Sequence, residues 1–360
     1  MGVAFSDVVT SAPSAWGASN ATAAAWVFPL GWPVAVALMA LVSDPAQIWH
    51  AADRYGTVAR LVRQANDQMT EAVTRRSRAD DWTERGRDAF MANRLQPYQA
   101  ALDEAAGMYD DMDHALKASS VSYTALGLSS ATVGAALLSF VAPFLAAAVV
   151  PGLNASATYV ANTAMVEAGT VVRSMVAGLA KVNGALASVL SGLAVRLGVS
   201  ESVILGLGAG TLGAAGGYQT FGRAAPTMRD SVRSVPWPKD LGGESSLPSG
   251  YRRATAADLD ALKSIRPPSI EALGRDLDLS ASESLDEACA LAGGNDVGLP
   301  GFGGAGVHLA GVCLAMRDSA LRHLTAGRDQ PGTWLPALRT VAGNWANAEQ
   351  ATVGATGHGR

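Results

Sequence analysis

Two apolar stripes constrain this chain more than any other feature. Ile48, Ala52, Tyr55, Ala59, Val62, Asn66, Met69 and Val73 recur at alternating spacings of four and three. Leu95, Tyr98, Leu102, Ala105, Tyr109, Met112 and Leu116 do the same. That alternation puts each set on one seam of a helix, as in coiled-coil pairing. A short connection between two such helices predicts an antiparallel hairpin. The first helix is expected to start at Asp44-Pro45, with Asp44 as N-cap, Pro45 in the first helical position and Gln47 completing a capping box. Asn66 is the polar member of the first seam, where it either fixes register or sits at the rim. Pro97 predicts a kink or break near Asn93–Leu95.

Composition narrows the class. Hydrophobic residues make up 49% of the 360 residues and charged residues 16%, below the usual quarter. So apolar a chain packs rather than staying disordered. Its small side chains and scarce aromatics favour helices in close contact over sheets. The net charge of −4 gives no basic field for nucleic acid. Trp26 to Val42 is apolar but broken by Pro29, Gly31 and Pro33, and no Lys or Arg precedes Arg54. A Sec-type signal peptide is therefore not expected.

Between Lys117 and Glu167 there is no Asp, Glu, Lys or Arg. Ala131 to Val150, with Pro143 inside it, meets the length rule for a transmembrane candidate. Together with the apolar Thr170 to Leu197 and the Gly-rich Ser202 to Gly217, this middle section is expected to form two to four closely packed helices. Pro226, Pro236, Pro238 and Pro248, with Gly242, Gly243 and Gly250, have linker composition. Helix signals resume at Thr255-Ala256-Ala257-Asp258, a second capping box. A C-terminal hairpin is predicted, with Leu309, Cys313, Met316, Ala320 and His323 or Leu324 on one arm. Trp334, Leu338, Val341, Trp345 and Ala348 form the other arm, and Ala326 to Gly332 the turn. The expected fold is all-α, divided as 1–120 (helical hairpin), 121–223 (hydrophobic helical segment), 224–250 (linker) and 251–360 (C-terminal helical module).

Chemistry-bearing patterns are scarce. Gly208-Ala209-Gly210-Thr211-Leu212-Gly213 matches a dinucleotide-binding fingerprint by letter but lacks the βαβ setting. The small-residue spacing there reads as close helix packing. His50, His114, His308, His323 and His358 form no metal-ligand spacing. Asp110, Asp111, Asp113 and His114 read as a solvated helix face. Arg75, Arg76 and Arg78 read as an exposed turn rather than a phosphate site. Cys289 and Cys313 read as small buried apolar residues, with a single bridge as the other reading. No catalytic residue, cofactor or metal is expected. An enzyme or toxin domain over Thr255 to Ala348 is the least favoured class.

The segment between the stripes carries a resemblance. Trp82, Gly86, Ala89 and Phe90 occupy the first, fifth, eighth and ninth places of Trp-x-Gly-x-Ala-x-x-Ala-Phe. That pattern is the inter-helix turn of the WXG/ESAT-like helical-hairpin proteins of type VII (ESX) secretion, and the Asp44-Pro45 start resembles their actinobacterial branch. Glu84 stands where the family has its namesake Gly, and Gly86 where it usually has Ala. Tyr109 and Asp113 are similar to the family's Tyr-x-x-x-Asp/Glu export signal. The resemblance implies a secreted or cell-surface protein that is cytoplasmic before export. Its recognition residues would be Trp82, Gly86, Phe90, Tyr109 and Asp113. Implied partners are another WXG-like or effector protein and the secretion ATPase. A homo- or hetero-oligomer and a membrane are further partners to weigh. The alternative reading is a membrane-inserting or pore-forming protein using Ala118 to Val166.

Overall fold

The computed structural model describes residues 12–77, 90–148, 154–196, 267–297 and 299–357. Among them every regular element is helical and none is a strand, so the fold is all-α. In chain order the helices are α1 (Ala12–Val27), α2 (Trp32–Ala40), α3 (Pro45–Ser77), α4 (Gln96–Ser139), α5 (Val141–Ala148), α6 (Asn154–Arg196), α7 (Pro267–Gly293), α8 (Leu299–Phe302) and α9 (Val307–Gly357). They form two compact units that do not follow chain order. Among the described residues, the first gathers those within 12–56, 110–196 and 293–319, and the second those within 57–109, 267–292 and 320–357.

In the second unit, the described parts of α3, α4, α7 and α9 make an antiparallel four-helix bundle. Asn66 Nδ2 donates to Asp103 Oδ1 at 2.8 Å and Gln99 Nε2 to Thr70 Oγ1 at 2.8 Å, so α3 and α4 run in opposite directions. Arg76 pairs with Asp276 at 2.8 Å and Ser284 Oγ donates to Gln68 Oε1 at 3.1 Å, which sets α7 antiparallel to α3. Arg328 pairs with Asp286 at 2.9 Å, and a Cβ on Gly274 would lie 2.9 Å from Leu338, which sets α9 antiparallel to α7. The seam residues Ala59, Val62, Met69, Leu95, Tyr98, Leu102, Ala105 and Tyr109 are all buried in this unit. Asn66 is half-buried and meets Asp103 at the rim.

Pro97 has the effect its position predicts. A π-helical turn, Met91–Leu95, precedes α4, and Gln96 N–H bonds back to Met91. Widening the turn by one residue accommodates a ring that would otherwise crowd the preceding carbonyl.

A C-terminal hairpin exists, but its arms differ from those expected. It is made by α7 against the later part of α9, and the turn predicted at Ala326 to Gly332 is not there. α9 continues through it, with Pro331 and Pro336 inside the helix. Pro331 cannot supply the amide hydrogen that the Gly327 carbonyl would normally accept. The Tyr98 hydroxyl donates to that carbonyl at 2.8 Å instead. This replacement bond lets the helix pass where Gly and Pro spelled a break.

In the first unit, α1 and α2 fold back on each other, joined by the 3-10 turn Pro29–Gly31. α2 packs on α6, and α5 packs on α6. Pro29 and Pro33 fall in the first turns of their helices, where a missing amide hydrogen costs nothing. Pro143 is likewise in the first turn of α5. The Ser120 hydroxyl donates to Pro45 O at 2.7 Å, fixing α4 antiparallel to α3 in this unit as well.

Only half of the capping box at α3 forms. Gln47 N–H donates to Asp44 Oδ1 at 3.4 Å, while Asp44 N–H goes to the Gly301 carbonyl at 3.0 Å rather than to the Gln47 side chain. Gly303 has φ +64° and lies against the Val42 backbone. Only a glycine takes up that conformation and that proximity together.

Candidate partner-recognition residues

Three of the five expected recognition residues are described. Trp82 and Gly86 lie outside the described residues. Phe90 opens the helical run that leads into α4, and its ring meets the Trp334 indole edge-to-face at 5.8 Å. Tyr98 meets the same indole at 5.3 Å and 88°. The trio is a packed aromatic cluster in the second unit, with Trp334 and Tyr98 buried. Burial raises the Tyr98 phenol well above its ordinary value, so it remains a hydrogen-bond donor.

Tyr109 is fully buried. Its hydroxyl lies 3.4 Å from the Ala320 carbonyl and 3.5 Å from His323 Nδ1, both on α9. In this folded state the ring of the expected export signal is a core residue, and no part of it is offered to solvent.

Asp113 departs from the solvated face expected for its cluster. It is buried in the first unit, whereas Asp111 and His114 are exposed. Lys117, one helical turn on, pairs with Asp113 at 2.8 Å and with Asp53 of α3 at 2.9 Å. The Lys117 ammonium also lies 5.5 Å from the centre of the Trp49 ring. Gly56 leaves the room for this arrangement, since a Cβ there would lie 3.2 Å from Asp113 Cγ. Burial alone would lower the Lys117 pKa, but hydrogen bonds to Asp113 and Asp53 outweigh it and raise the pKa above the ordinary value.

The basic run is spoken for on its described side. Arg75 pairs with Glu71 along α3 at 2.9 Å, and Arg76 is held by Asp276. Arg78 lies outside the described residues, as does the Gly208 to Gly213 stretch. Cys289 and Cys313 are free and buried, as expected of small apolar residues. Burial pushes the Cys313 thiol up to about 12 and raises that of Cys289. No group of three or more metal-ligating side chains occurs among the described residues.

One open cleft of about 500 Å³ in the first unit is lined by Asp44, Gln47, His50, Arg54, Asn295 and Asp296. Arg54 there is committed to the Gly294 carbonyl at 2.5 Å, and Asn295 Nδ2 to Ala51 O at 2.9 Å. These bonds hold the start of α3 to the 293–297 segment.

Sequence reasoning missed Lys117, although its i,i+4 offset from Asp113 was readable. Its second partner, Asp53, belongs to another helix and left no local signal. No family model, curated protein or solved structure matches the chain.

Proposed function

We propose that this chain is a helical interaction protein of type VII secretion, either an exported substrate or an adaptor that escorts a secreted effector. The observation that carries the reading is the antiparallel pairing of α3 with α4 through the two seams read from the sequence. The 81–90 segment connects helices paired in this way, as it does in the family it resembles. In this reading Trp82 and Gly86 are recognition residues, Phe90 packs on Trp334 beside them in sequence, and Tyr109 with Asp113 is the export pair. The partners are a WXG-like or effector protein and the secretion ATPase, and the destination is the cell surface or the medium. Recognition proceeds by burial of helix faces, without a reaction at a catalytic centre.

Culture supernatants of a wild-type host and one lacking the secretion ATPase test it directly. The full chain is expected in the first and missing from the second, with the cytoplasmic level maintained. Trp82→Ala is expected to reduce export in the wild-type host. Equal amounts outside the cell in both hosts would end the proposal.

A further inference from the structure

Two charge-free stretches meet in the first unit. No Asp, Glu, Lys or Arg occurs between Asp7 and Asp44, nor between Lys117 and Glu167. The fold brings their described parts together. α1 crosses α4 where Gly17 and Gly134 oppose each other: a Cβ on Gly17 would lie 2.6 Å from Ala131 N, and one on Gly134 2.7 Å from Gly17 Cα. The backbones touch with no side chain between them. Phe28 stacks edge-on against Phe144 at 4.7 Å, and Gly31 leaves space filled by Met165 Sδ.

Large apolar side chains on these stretches are exposed. Trp26 is 76% exposed and Tyr159 74%, and Leu30, Val36, Leu128 and Val166 are exposed with them. Four hydroxyls on the same stretches are internally satisfied: Ser122, Ser129, Thr132 and Thr163 each donate to the carbonyl four residues earlier, at 2.9–3.0 Å. Immersing them in hydrocarbon would strand none of these donors.

We infer that this face of the first unit seats in the acyl layer of a lipid bilayer. A protein partner would be expected to find a polar, charged rim around an apolar centre, and these stretches supply no charge. The uncharged part of α4, residues 118–139, is about 33 Å long at helical rise, close to the thickness of a bilayer's hydrocarbon core at about 30 Å. Backbone contact through opposed glycines is how helices associate where burial from water gives no drive. The lipid-facing body therefore includes α1 and α2 as well as the central helices.

Flotation of the purified full chain with vesicles of phosphatidylcholine, and of phosphatidylcholine with phosphatidylglycerol, tests this. Wild type is expected to float with both and to stay bound through alkaline carbonate and concentrated salt. Leu128→Asp with Val166→Asp changes two exposed positions, and is expected to keep the wild-type circular dichroism and melting curve. It is expected to lower the floated fraction at least about tenfold. Brominated phosphatidylcholine is expected to quench the wild-type tryptophan fluorescence, which tests the proposal without any substitution. Three results would overturn it: wild type left at the bottom of the gradient, release by carbonate, or absence of quenching. Self-association without vesicles, abolished by the double substitution and unaccompanied by flotation, would make the occupant a second copy and also overturn it. The secretion ATPase takes no part in these assays, so they are decided separately from the export experiment.

Discussion

The Tyr98 hydroxyl donates to the Gly327 carbonyl at 2.8 Å, the acceptor that Pro331 leaves without its usual helical donor. A side chain of one helix thereby completes the backbone of another. Removing that hydroxyl leaves a buried carbonyl short of a partner, at a cost of about 1–3 kcal/mol.

Tyr98→Phe is therefore expected to lower stability by that amount in urea titrations. Pro331→Ala restores an amide hydrogen to the same acceptor, so in the double variant the cost of Tyr98→Phe should shrink by more than half. Equal costs in both backgrounds would show that the hydroxyl does not stand in for the proline's missing donor.

Leu102 is fully buried on the α4 seam of the bundle. Leu102→Ala should cost about 2–5 kcal/mol by transfer and cavity terms, and Leu102→Asp should prevent the bundle from forming. Thermal melts followed by circular dichroism will show whether the loss has that size.

Gly303 combines φ +64° with contact against the Val42 backbone. Gly303→Ala should lower the melting temperature markedly, whereas Gly107→Ala, where an added Cβ meets nothing within 4 Å, should leave it unchanged or raise it. Similar behaviour of the two variants in a melt would refute the backbone argument.

Lys117 has a raised pKa in the fold, so the sign of its pH dependence is set. Its contribution is complete below the pKa of an unfolded lysine and is lost as pH climbs through the higher folded value. The stability difference between wild type and Lys117→Met should be flat from neutral pH into the mildly alkaline range, then shrink at strongly alkaline pH. A difference that already fades near neutrality would point to other groups.

Cys313 and Cys289 should resist alkylation at mildly alkaline pH, since burial holds both thiols protonated. Mass spectrometry after iodoacetamide treatment should find both labelled in denaturant and neither labelled without it.

The parts of the fold legible in the sequence were those with strong periodicity. Every member of the two stripes except Asn66 is buried, from Ile48 to Val73 and from Leu95 to Leu116. α1 and α2 were not anticipated, because Ala, Ser and Gly give no apolar period and Pro29 and Pro33 look like breakers. Both prolines are helix-starting residues, a distinction that depends on where the preceding turn falls. The C-terminal arms were misplaced for a related reason. Gly327, Pro331 and Gly332 spell a turn locally, and the donor that rescues the helix sits on α4. The site was legible as residue types but not as accessibility. Nothing adjacent in sequence to Tyr109 indicates that Ala320 and His323 cover it, or that Lys117 draws Asp113 inward.

That cover has a consequence for timing. Tyr109 leaves the ribosome 211 residues ahead of Ala320, the residue whose carbonyl its hydroxyl faces. Until synthesis reaches α9, the two neighbours of the phenol hydroxyl, Ala320 and His323, are not yet in place. A receptor that reads this ring must reach the growing polypeptide within that interval, or else pull the last helix off the finished molecule.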